Sequence, residues 1–219
     1  MTPGLWQRAA VWALWALWAQ VASLYALSAF ALWRGQFSGQ GWLNAAESGL
    51  AALVLAWWTV LFSRVLRAQA TPDTDGTWRA LALTFPWLTA LRASLWLVLL
   101  LGVLSGAAAE ANPVALSAIL TIWAGAIIAS NAVAGNLVRL SAEPGSAPLR
   151  RRLREWLNAS AALSLGMGVM NVVPVRGLGD APDFTSQLAY GGAALLDVLA
   201  TVLAYRALAE QGENGGNGS

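Results

Sequence analysis

The 219-residue chain contains no cysteine, no histidine and no lysine, and all 13 of its basic residues are arginine. Each absence excludes chemistry. Without Cys there is no disulfide, thiolate nucleophile or thiolate metal ligand; without His there is no imidazole base and no axial histidine for haem; without Lys there is no Schiff base. Acid–base or metal chemistry is left with 11 carboxylates, and no two of them pair at helical spacing on one span. The residues therefore predict neither an enzyme nor a cofactor. Charge of either sign is scarce as well, at 11% of positions against 58% hydrophobic. The apolar runs are long rather than periodic, which is the pattern of a polytopic integral membrane protein whose first partner is the lipid bilayer. The net charge of +2 and pI of 9.7 do not point to nucleic acid, because the arginines sit at the ends of the apolar runs, where membrane topology accounts for them.

Six apolar runs, at 5–33, 42–66, 80–106, 114–140, 156–175 and 184–209, predict an all-α bundle of about six transmembrane helices. They form a single domain over 1–210, followed by a polar, glycine-rich tail at 211–219 that reads as disordered. The first run is much longer than the roughly 7–15 apolar residues of a cleavable signal, so it is expected to stay in the mature protein. Pro86 is expected to kink the third span and Pro113 to start the fourth. Arg150, Arg151, Arg152 and Arg154 read as a short interfacial segment ahead of the fifth span.

Arginine placement gives an orientation. With both termini in the cytoplasm, Arg8, Arg64, Arg67, Arg79, Arg139, Arg150, Arg151, Arg152, Arg154 and Arg206 lie inside, and Arg34 and Arg176 lie outside. That bias fits a multi-pass protein of the plasma (inner) membrane with an even number of spans. Trp and Arg recur together at the starts of odd spans (Trp6/Arg8, Trp78/Arg79, Arg154/Trp156). A threefold hairpin repeat would produce this, and so would the ordinary enrichment of Trp and Arg at inner interfaces.

Arg92 is the anomaly, since it lies near the middle of the third apolar run, where a charged side chain must face protein or water and find a partner. Counting inward from the cytoplasmic ends at Ala80 and Ala209 gives Arg92 and Asp197 the same depth of roughly 18 Å, which predicts an ion pair between them. Small and polar residues form one stripe along the sixth span: Tyr190, Ala193, Ala194, Asp197, Thr201 and Ala204. Leu195, Val198, Leu199 and Val202 fall on the other side. Similar stripes carry Gln20 in the first span, with Ala9, Ala13, Ala16 and Ser23, and Asn131 in the fourth, with Ser117, Thr121, Ala124 and Gly135. Gln20, Arg92, Asn131 and Asp197 are thus expected to share one polar centre. Glu47, counted about five residues into its span from Trp42, is expected to reach outer headgroup water beside Asn44 and Ser48.

Of the 13 tryptophans, Trp6, Trp33, Trp42, Trp78 and Trp156 lie at span ends as an aromatic belt. Trp12, Trp15 and Trp18 rotate around their helix, whereas Trp57, Trp58, Trp96 and Trp123 are candidates to line a pocket. Two readings of the polar centre stand side by side. It staples the bundle, as in a non-catalytic accessory subunit bound to a membrane-protein partner; or it binds a small solute or ion, as in a transporter, channel or solute-binding subunit.

Overall fold

In the computed structural model, residues 5–35, 38–66, 76–106, 112–143, 145–172 and 183–216 are described. The linker at 68–75, Arg67 and the loop carrying Arg176 lie outside them, as do the side chains of Trp6, Trp78, Arg79 and Asn171. The described chain is all α: α1 Leu5–Arg34, α2 Gly39–Leu66, α3 Gly76–Leu104, α4 Pro113–Ala142, α5 Ala147–Val172 and α6 Phe184–Gly216. Five of the six, all but α5, are long and apolar enough to cross a membrane.

Helix boundaries follow local chemistry. Asn112 caps α4, its side-chain oxygen accepting from the N–H groups of Val114 and Ala115, and Pro113 occupies the first turn, where its missing N–H is not needed. Asp183 caps α6 by accepting from the Ser186 N–H, and its carboxylate also pairs with Arg34 at the end of α1. Pro86 stands inside a continuous α3. The arginine cluster is no separate interfacial piece, because α5 runs unbroken from Ala147 and carries it on its first turns, where Arg151 pairs with Glu155 one turn on. Those charges, followed by Asn158, Ser160, Ser164, Gly166 and Gly168, leave α5 without a long strongly apolar stretch. At the other terminus α6 continues through Gly216, so its backbone enters the segment read as a tail, as propagation from a packed helix allows.

Among the described residues, α1 packs against α2 and α6, α6 against α5, α5 against α4, and α4 against α2, closing a ring. α3 leans on α2 and α4 from outside. Sequential neighbours run antiparallel: Ser28 of α1 bonds the Ala45 carbonyl of α2, and Gly168 of α5 meets Ala194 of α6. The largest fully buried side chains, among them Leu17, Phe62, Leu137, Leu140, Leu153, Leu157 and Leu208, gather in the half of the ring remote from the α1–α2 turn. That half is a dry apolar plug.

Glycines set the closest approaches. A Cβ on Gly168 would lie 2.6 Å from the Ala194 Cβ, whereas one on Gly166 would meet Ile122 at an ordinary 3.6 Å. Gly168→Ala is expected to destabilise the folded protein by about 1–3 kcal/mol through overpacking. Gly166→Ala should be neutral or stabilising by up to about 1 kcal/mol, since alanine is the better helix former. Thermal unfolding of the two variants in the same detergent measures the contrast.

Candidate functional site

α3 docks through one stripe of its surface. Phe85, Thr89, Arg92 and Trp96, spaced by four, three and four residues, touch the ring, and Leu88 packs against its core beside them. Phe85 packs edge-on to Trp57 of α2 at 5.0 Å, the Thr89 hydroxyl donates to Asn131 Oδ1, and the Trp96 indole N–H donates to the Leu120 carbonyl at 3.0 Å. Leu83, Trp87, Leu91, Leu97, Val98 and Leu101 are all exposed on the bundle surface.

Arg92 is buried, and its partner is Glu47. Nη2 and Nε donate to Glu47 Oε1 at 2.9 and 3.3 Å, and Nη1 reaches Ser130 Oγ at 3.4 Å. The Trp123 indole N–H donates to the same Glu47 oxygen at 3.3 Å. The node thus joins α2, α3 and α4. This corrects the expected Arg92–Asp197 pair, and the reason is geometric. α2 starts at Gly39, which puts Glu47 about 12 Å along its helix, level with Arg92 of the neighbouring α3. Depth alone also says nothing of lateral order: α3 touches α2 and α4, while α6 stands across the ring.

Asp197 belongs to a second node. The Ser164 hydroxyl of α5 donates to its Oδ2, and the Gln20 amide of α1 faces the same carboxylate and interacts with it. Arg92 acts on Asp197 through space, without contact. The stripe predicted on α6 is observed, with Ala193, Ala200, Thr201 and Ala204 buried and Leu195, Leu199 and Val202 exposed. Gln20 is only 3% exposed, yet its Oε1 has no hydrogen-bond partner. An unsatisfied buried acceptor of this kind costs roughly 1–3 kcal/mol.

The other expected members lie elsewhere. Asn131 is exposed on the outer surface, paired with Thr89, and Ser117 and Thr121 of its stripe are exposed too. The Thr121 hydroxyl bonds back to the Ser117 carbonyl, so it faces outward with its donor satisfied. Trp57 and Trp58 stand in the apolar core, the Trp57 N–H unpartnered, while Trp96 and Trp123 fasten α3 and Glu47 to α4. Ser130 and Ser164, absent from the sequence-derived set, are the hydroxyls that complete the two nodes. A serine one turn from a helix–helix glycine (Ser164 before Gly168) is the only signal that could have singled out either. Among the described residues no group of three or more His, Cys, Asp or Glu side chains gathers for a metal ion.

Removing one partner of a buried ion pair leaves the other charge stranded, so Arg92→Ala and Glu47→Ala should each cost about 3–5 kcal/mol. The double variant should cost far less than the sum of the two, whereas Arg92→Ala combined with Asp197→Asn should show a much smaller coupling, because those two charges do not touch. A double-mutant cycle on unfolding stability reads both couplings.

No protein-family model matches the chain, and neither a curated protein nor a solved structure matches it, so the functional reading rests on these two nodes.

Proposed function

We propose that this is a six-span protein of the plasma (inner) membrane, both termini cytoplasmic, that binds and passes a small solute or ion as a transporter, channel or solute-binding subunit. The sixth crossing is α5, which lies within the bundle, antiparallel to α4 and α6, with its arginines at the cytoplasmic end. One observation carries the functional reading. Two polar nodes, which between them draw on all six helices and act on each other through Arg92 and Asp197, lie beside the apolar plug, and one member, Gln20, keeps an unused acceptor there. Intramembrane ionisable groups of this kind commonly mark ion and substrate pathways, with sites near the midplane. The plug closes the cytoplasmic half, so solute enters from the side of the α1–α2 turn.

A second reading, an accessory subunit of a larger membrane complex, is favoured by the outer face of the bundle. There Asn131 is exposed beside the broad apolar outer face of α3. An amide at such a position finds a better partner in another protein than in lipid.

The chain's lack of cysteine makes the test clean. In sealed vesicles, Ser164→Cys should react with a small, charged, membrane-impermeant methanethiosulfonate added on the outer side, while Ala204→Cys, inside the plug, should not. Ser38→Cys serves as the reactive outer control. A folded Ser164→Cys protein that stays unlabelled while Ser38→Cys labels contradicts an accessible centre.

A further inference from the structure

Within the described spans, Glu47 and Asp197 are the carboxylates at depth, and Glu47 is committed to Arg92. Taken with their ordinary charges, Glu47, Arg92 and Asp197 leave the centre with one net negative charge. That charge sits on Asp197, which no arginine contacts among the described residues. Around it the available atoms are oxygens. The Ser164 hydroxyl points its proton at Asp197 Oδ2 and keeps its lone pairs free, and Gln20, facing the same carboxylate, holds its Oε1 buried and unpartnered.

Three helices thus supply hard oxygen donors to this node: the Asp197 carboxylate, the Ser164 hydroxyl bonded to it, and the buried Oε1 of the Gln20 amide beside it. Such a set suits a hard cation, and a single uncompensated charge matches a monovalent ion, where a divalent one would leave a net positive charge in the membrane. We propose that Asp197, Gln20 and Ser164 bind a monovalent alkali cation. Asp197 supplies the charge, and Gln20 Oε1 and Ser164 Oγ are neutral ligands. The ion gives the orphaned Gln20 acceptor its partner, and it ties α1, α5 and α6 together. This inference names the ion for the site of the preceding section and rests on that site being reached from water.

Because the ion would bind the folded state alone, it should raise thermal stability. The full-length protein is unfolded thermally in detergent at constant ionic strength, with N-methylglucamine chloride replaced by NaCl or KCl. At about 100 mM of the alkali ion, the transition should rise by about 3 °C or more. Gln20→Leu removes an acceptor that lacks a partner in the fold together with the amide's contact to Asp197, while Ser164 still bonds that carboxylate, so this variant should fold and lose the rise; a purely structural glutamine would leave it intact. Asp197→Asn should lose it as well. Should Asp197→Asn fail to fold, Gln20→Leu decides. No rise with either ion in the wild type, or an undiminished rise in Gln20→Leu, overturns the site. A transition that moves with pH but with neither ion also overturns it, because a proton then neutralises Asp197. Labelling of Ser164→Cys without any cation-dependent rise removes the ion site and leaves the accessible centre standing. A Gln20-dependent rise with Ser164→Cys unlabelled does the reverse.

Discussion

Between two helices in lipid there is no hydrophobic force to speak of, since the tails are as apolar as leucine, and contact is decided by packing and polar groups. α3 is where that constraint bites. It has almost no apolar side chain buried in the ring, and its attachment centres on the Arg92–Glu47 ion pair, with Ser130 and the Trp123 indole completing the charges' hydrogen bonds. Desolvating two charges is costly, and good geometry with extra donors is what lets a buried pair persist. Everything else about the centre depends on this pairing. By occupying Arg92, Glu47 leaves Asp197 to hydroxyl and amide partners from α5 and α1.

The ring itself is held by different means. Its plug is chiefly leucine and phenylalanine, the buried Thr59 and Asn136 side chains bonding back to their own helices, and its closest helix crossings are made by small residues, as at Gly168 against Ala194. Apolar packing and polar pairing are therefore separated along the bundle axis. One half of the ring is a sealed apolar core, and the polar nodes are built beside it rather than within it. On the proposed reading, substitutions in the plug act on folding, while those at Gln20, Ser164 and Asp197 act on what the centre binds.

Much of this was legible in the residues and some was not, for identifiable reasons. Apolar runs announced the helices because bilayer thickness sets a length that composition must meet. The stripe on α6 was legible because small and polar residues at spacings of three and four can serve only one face. The partner of Arg92 was misread because a linear count gives depth along a helix and carries no information on which helices are neighbours. Asn131 was misread because a polar residue in a span was assumed to face inward, whereas the Thr89 hydroxyl gives it a partner on the outside. α5 was cut short because four arginines look interfacial, although each is compatible with helix and one has a partner a turn away.

The claim on which the account turns is that Arg92 belongs to Glu47 and not to Asp197. Exchanging charges tests it without regard to ligand: Glu47→Arg with Arg92→Glu, against Asp197→Arg with Arg92→Asp, each compared with its single variants for folded yield by size-exclusion chromatography. The account predicts that the first exchange recovers a substantial part of the yield its single variants lose and that the second recovers none. Recovery by the Asp197 exchange alone would contradict it.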